Sequence, residues 1–247
     1  MEILKEVTRF RNEFYHSQFN TPQLLKIVTN LRLDWGINEM SDSEKFDIGV
    51  TKPFILKGVS HSESKLKSNS KLYSYNESAQ NLVNSFFVKK KLTIELIQEI
   101  HSNILQDGGQ FRKQEVIVSD QTSVIETKFV DSLQIEERLL KLIDWFNKEL
   151  NEATIHPVVL GTMLHYEFVR IHPFMDGNGR LARILTSLVL VSNGYLPPTS
   201  KFNNRQYYIS ALRSSDGGNI EPLIEFVAKR VIISYQRITE QNLRNYE

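Results

Sequence analysis

The sequence contains no cysteine. That excludes disulfides, thiolate metal centres and a cysteine nucleophile, and it fits a reducing compartment, so a cytoplasmic protein is expected. With 11 glycines and 7 prolines in 247 residues, the chain is not collagen-like. No charge sign dominates: 30 Lys and Arg stand against 29 Asp and Glu, a formal net charge of +1. No global field therefore favours nucleic acid or an anionic membrane, and neither is expected as a partner. Long hydrophobic runs are also missing. The longest, Ile184 to Val191, is interrupted by Thr186 and Ser187 and is too short to span a bilayer. The N-terminal MEILKEVTRFRNEF mixes both charge signs and lacks an apolar core, which argues against a secretory signal. What remains is an ordinary globular balance, 40% hydrophobic and 24% charged.

The serine-, lysine- and asparagine-rich stretch 60–78 reads as an exposed loop between an N-terminal helical arm, 1–59, and a main body, 79–247. The body is patterned for helices. Apolar positions at helical spacing predict helices over 79–88 and 93–105, with Thr93 as an N-cap. A third covers 133–150, with Leu139, Leu140, Leu142, Ile143 and Phe146 on a wide face. A fourth runs from Pro157 to about Val169. Leu181 to Ser192 is nearly all apolar and predicts a central, buried helix. Two more are predicted near 204–214 and 220–242. Between them, the β-branched runs Val116-Ile117-Val118 and Val124-Ile125 flank a polar turn and predict a hairpin. The predicted class is all-α with a short β-hairpin. No βαβ alternation supports a doubly wound nucleotide fold.

One segment carries chemistry: IHPFMDGNGRLAR, Ile171 to Arg183. A helix ends, a short loop carries His172 and Asp176, and Gly177, Asn178 and Gly179 open the most apolar helix. A helix N-terminus offers unpaired N–H groups and the positive dipole end, and glycine lets an anion approach that backbone. Arg180 and Arg183, three apart, add two guanidiniums suited to a polyphosphate. Asp176 would repel phosphate unless a divalent cation lies between them. Mg²⁺ commonly takes one or two carboxylates plus substrate phosphates. His172 can accept a proton from an incoming hydroxyl. Neither a Walker GxxxxGK[ST] nor a kinase motif set is present.

HPFMDGNGRLAR resembles the signature of the Fic family, HxFx(D/E)GN(G/K)RxxR, with every fixed position filled. The resemblance extends over most of 79–247. GYLPP at 194–198 and RQYYISAL at 205–212 are similar to the family's downstream pattern. It implies a Fic-type helical bundle in which the hairpin is a flap. It further implies a protein adenylyltransferase that moves AMP from ATP to a Ser, Thr or Tyr hydroxyl of a target protein or of itself. By the same resemblance His172 would be the general base and Asp176 would hold Mg²⁺. Gly177, Asn178 and Gly179 would form the anion hole. Arg180 would bind the outer phosphates, Arg183 the γ-phosphate, and Phe174 would anchor the loop. Gly179 and Arg183 separate the chain from the Doc branch, which resembles a pattern with Lys at the former and no arginine at the latter.

An extended target segment would add to the flap beside Ile117, Val118 and Ser119. Tyr208, more than Tyr207, would border the adenine. The segment 40–58 is similar to an N-terminal inhibitory helix, with Glu44 as the inhibitory glutamate. Met40 stands where Ser or Thr is expected and Lys45 where Gly is expected. Two rival functions stay open. One is removal of AMP, or transfer of another phosphate-containing group, on the same scaffold. The other is a non-enzymatic module that binds nucleotide as a ligand, which would not need His172. A homodimer and an inhibitory partner are likewise open. His165 reads as a packed helix residue, and Lys89-Lys90-Lys91 as a solvated turn.

Overall fold

A computed structural model describes residues 1–16, 91–105, 108–120, 123–198 and 205–244. Glu44, the 60–78 loop and the 79–88 helix lie outside the described residues. Among the described residues the elements run α1 (Glu2–His16), α2 (Ile94–Ile104), β1 (Ile117–Asp120), β2 (Ser123–Lys128), α3 (Ile135–Glu152), α4 (Pro157–Ile171), α5 (Asn178–Ser192), α6 (Arg205–Asp216) and α7 (Glu221–Arg244). A 3-10 turn, Ser132–Gln134, leads into α3. No helix among these residues is long and apolar enough to cross a membrane.

The antiparallel pair α4 and α5 forms the spine, because both helices bury residues on nearly every side. Gly161 lets them come close: a Cβ there would lie 3.4 Å from the Cγ2 of Thr186 on α5. Apolar clusters lie on either side of the spine. One joins α2 and α3 to it through Ile97, Ile100, Leu139, Phe146, Phe168 and Leu185. The other joins α1, α6 and α7 to it through Val7, Val158, Leu190, Ala211, Val231 and Tyr235. Residues 2–16 thus pack against the body, with Phe14 edge-on to Tyr235 at 5.5 Å between ring centres.

Local chemistry sets the helix ends. Thr93 caps α2 by accepting from the Leu96 N–H at 3.2 Å, as its position predicts. Pro157 occupies the first turn of α4, where its missing N–H costs nothing. The apolar helix predicted from 181 begins three residues earlier, at Asn178. Leu140, predicted on the buried face of α3, is 47% exposed. It lies about 100° round the helix from Leu139, beyond the stripe that Leu139, Leu142, Ile143 and Phe146 turn inward. The hairpin is antiparallel, pairing Ile117 with Lys128, Val118 with Thr127 and Ser119 with Glu126.

Candidate active site

The spine helices are joined by residues 172–177. His172 ends α4 in the left-handed region, φ 51°, while its N–H still donates to the Phe168 carbonyl at 3.0 Å. A left-handed non-glycine residue stores roughly 1–3 kcal/mol of strain, so the surroundings must hold it. They do. Phe174 is fully buried and stacks face to face on His101 at 3.7 Å. Asn178 is also buried, and its side chain is spent on the loop: Nδ2 donates to the Phe174 carbonyl (2.7 Å) and Oδ1 accepts from the Phe174 N–H (3.0 Å). What Asn178 offers an anion is therefore its backbone N–H. Gly177 takes φ 77°, and a Cβ there would press on Leu105 and His101 at 3.0 and 3.1 Å. Both the backbone and the space demand glycine.

The first α5 hydrogen bond runs from Leu181 N–H to the Gly177 carbonyl. By helix geometry the N–H groups of Asn178, Gly179 and Arg180 have no intrahelical acceptor. They open at the loop with the positive end of a 15-residue helix behind them. Arg183 folds back over this end, so that a Cβ on Gly179 would sit 3.5 Å from its Nη1. Arg180 donates from Nη2 to Asp176 Oδ2 at 3.0 Å, and Asp176 Oδ1 accepts from the Gly177 N–H at 2.6 Å. The Asp176 side chain is 76% exposed, so this pair is open to exchange. Its single carboxylate fits a divalent cation that takes its other ligands from phosphates and water. Among the described residues no three His, Asp or Glu side chains form a metal cage of their own.

His172 is half-buried, and Phe129, the residue after β2, stacks on its ring at 3.8 Å. Nδ1 donates to the Val169 carbonyl at 3.3 Å, which leaves the lone pair on Nε2. No partner for Nε2 is found among the described residues. Burial pushes the His172 pKa down to about 4, and Arg112 adds to the effect. The imidazole is neutral at physiological pH and able to accept a proton.

Three residues of this neighbourhood escape sequence reasoning. His101 holds the loop from α2: its Nδ1 accepts from the Gly109 N–H (2.8 Å), and its Nε2 donates to the Asp176 carbonyl (2.8 Å). Arg112 is buried among backbone carbonyls, and Phe129 covers the base. A histidine four residues after Ile97, on the same helical face, was the one visible signal. His165 is packed, as its helical position suggests. It also bridges helices, with Nδ1 3.2 Å from Thr186 Oγ1 on α5 and Nε2 2.8 Å from the Tyr208 hydroxyl on α6. Tyr208 thus turns its hydroxyl inward, with its ring tilted against Phe226. Tyr207 stacks on the same Phe226 and is 36% exposed.

The Fic/DOC family model matches residues 91–190, from the start of α2 through most of α5. That stretch of the chain is similar to a Fic/DOC domain. The protein adenylyltransferase fic-1 of Caenorhabditis elegans is 26% identical over 244 residues, covering 96% of this chain and 46% of that protein. The protein adenylyltransferase Fic of Nematostella vectensis is 33% identical over 160 residues, 62% of this chain and 36% of that protein. This chain therefore spans between about a third and a half of those two relatives. A Fic-domain-containing signalling protein of Bacteroides thetaiotaomicron has the same fold, with a TM-score of 0.82 at 24% identity over 96% of this chain and 95% of that one. The all-α Fic architecture that the motif implies is thus the fold of this chain, and the hairpin precedes the motif helices with α3 between them.

Proposed function

We propose that the chain is a protein adenylyltransferase that moves AMP from ATP to a hydroxyl of a target protein. The observation that carries the reading is one six-residue loop that joins two functions. At its start stands a neutral His172 with Nε2 open. At its end stand Gly177 and the unpaired N–H groups of Asn178, Gly179 and Arg180, which open α5. The relatives named protein adenylyltransferase support the same choice.

The substrate hydroxyl gives its proton to His172 Nε2, and its oxygen attacks the α-phosphorus. The bond from that phosphorus to the bridging oxygen breaks, and pyrophosphate leaves. The N–H groups of Asn178, Gly179 and Arg180 hold the phosphate oxygens, while Arg180 and Arg183 hold the outer phosphates. Fixed donors of this kind stabilise charge without reorganising during the reaction. Asp176 would hold Mg²⁺, which would neutralise phosphate charge. The edge of the hairpin at Ile117, Val118 and Ser119 receives the target as an added strand. Tyr208 borders the adenine, and Glu44 of the 1–59 arm is the brake that meets Arg183. The arm, the 60–78 loop and the 79–247 body are the working units, in a cytoplasmic setting.

The test incubates the purified protein with Mg²⁺ and ATP labelled at the α or the γ phosphate, in separate tubes. Wild type, His172→Ala and Glu44→Gly are compared. Label on the protein from the α position only, lost in His172→Ala and raised in Glu44→Gly, is the expected result. Label from the γ position would replace adenylyl transfer with phosphoryl transfer.

A further inference from the structure

Arg112 lies between the hairpin and the loop and is 3% exposed. Its Nε donates to the His172 carbonyl at 2.7 Å, and its Nη2 reaches the Ile171 carbonyl at 3.5 Å. Those are carbonyls at the C-terminal end of α4, which lack helical partners and favour a cation. Its Nη1 donates to the Gln114 carbonyl at 2.9 Å, and Nη2 also donates to the Val130 carbonyl. Gln114 precedes β1 and Val130 follows β2, so these are the two roots of the hairpin. The Arg112 N–H adds a bond to the Pro173 carbonyl at 2.9 Å. Glu115 closes the hairpin base from outside: Oε1 accepts from the Ser132 N–H at 3.1 Å, and Oε2 lies 3.8 Å from Arg112 Nη1.

A buried guanidinium is costly unless its donors are matched, and apolar residues fill space at no such cost. Here every carbonyl that its side chain binds belongs to the end of α4, the base loop or a hairpin root. Phe129 makes the same junction by another route, because it follows β2 directly and stacks on the His172 ring.

We propose that Arg112 and Phe129 are positioning residues that lock both hairpin roots to the His172 loop. A chain segment docked on the hairpin then meets a base of fixed orientation and tautomer. The inference rests on the adenylyl-transfer reading for its kinetic arm only. The hairpin is not an independent flap that finds the loop when a target arrives. It is bolted to the base before any substrate binds. Arg112 reads the backbone of both partners, so the lock is set by chain path rather than by which side chains the hairpin carries.

The experiment uses the full chain as wild type, Arg112→Gln, Arg112→Lys and Phe129→Leu. One arm records the tautomer of His172 by nitrogen NMR at pH 8. The other records incorporation of α-labelled ATP, with kcat and the KM for ATP. We expect a single Nδ1–H tautomer in wild type and a mixture in Arg112→Gln and Phe129→Leu. In both variants kcat falls at least tenfold, while the KM for ATP stays within twofold. Arg112→Lys, which keeps the charge but not the fork, recovers part of the loss. Variants that keep the wild-type tautomer and kcat overturn the proposal. So does a KM for ATP that rises as kcat falls, which would mark general loosening of the loop. Phe129 is only half-buried, so its variant remains readable if Arg112→Gln does not fold. If the wild type transfers no label, adenylyl transfer fails as the function, and the tautomer arm alone decides the positioning role.

Discussion

Helix α4 carries a histidine at each end, and the two ends are built to opposite purposes. At the N-terminus, His156 caps the helix: its Nδ1 accepts from the Val158 N–H at 3.2 Å. Its Nε2 meets Thr8 Oγ1 at 3.0 Å and the Tyr195 hydroxyl at 3.2 Å. Both nitrogens are in use. At the C-terminus, His172 uses Nδ1 on Val169, and no partner for its Nε2 is found among the described residues. Burial lowers the pKa of both, so neutrality does not distinguish them. The unfilled nitrogen does. His101 and His165 fall with His156, each with both ring nitrogens engaged. A structural histidine among the described residues is a saturated one.

The widest break in this comparison is between the two ends themselves. His172→Ala should lower adenylyl transfer by about 10²–10⁴-fold, the usual worth of a general base, and leave the thermal midpoint nearly unchanged. His156→Ala should do the reverse, costing about 1 kcal/mol as a lost N-cap with transfer largely retained. Kinetics and melting curves of both variants check this. Loss of transfer in His156→Ala without loss of stability would dissolve the distinction.

A saturated, buried histidine should also show itself in acid. Burial holds the pKa of His165 down to about 3, with Arg183 contributing. Below pH about 6.5 the unfolded chain takes up a proton that folded His165 refuses. The unfolded state then binds more protons, and stability falls as the pH drops from 6.5 toward 3. Above 6.5 both states are neutral and the contribution is complete. The slope is at most about 1.4 kcal/mol per pH unit for one such group. Denaturant titrations of wild type and His165→Gln between pH 4.5 and 7.5 should differ in slope, the variant being flatter. Parallel lines would mean that His165 is protonated in the fold.

How much of this was legible in the sequence follows from the range of each signal. Thr93, Pro157 and the hairpin are local, and the chain places them where their residue types predict. The motif loop was legible because its parts are contiguous from His172 to Arg183. The loop's supports were not, because they arrive from elsewhere. Arg112 is 60 residues from His172 along the chain, and nothing in QFRKQ distinguishes an arginine bound to carbonyls from a solvated one. Asn178 was read as part of the anion hole, and only the fold shows its side-chain amide bonded to Phe174. Tyr208 was read for its ring, and the fold adds a bonded hydroxyl.

Gly177 and Gly179 sharpen the comparison inside the loop. Gly177→Ala meets both a positive φ and two contacts near 3 Å, so it should destabilise by roughly 1–3 kcal/mol. At Gly179 a Cβ finds ordinary contact distance to Arg183, and no positive φ is present. Gly179→Ala should keep its thermal midpoint and weaken ATP binding, since the methyl group occupies the approach to the N–H groups of α5. Calorimetric titration with ATP beside a thermal melt reads both variants. A folded Gly177→Ala protein of wild-type stability would show that the loop can relax around a Cβ.

The smallest effect tests saturation by removing one bond. Tyr208→Phe keeps the ring against Phe226 and takes away the hydroxyl that meets His165 Nε2. A net hydrogen bond is worth about 0.5–1.5 kcal/mol, and the orphaned nitrogen places the cost toward the upper end. The loss should appear as a lower denaturant midpoint with an unchanged slope. Adenylyl transfer should change little if Tyr208 serves the adenine through its ring. A larger fall in ATP affinity than in stability would mean that the hydroxyl, or the position of α6 that it fixes, matters to the nucleotide. His165 would then belong with His172 rather than with His156.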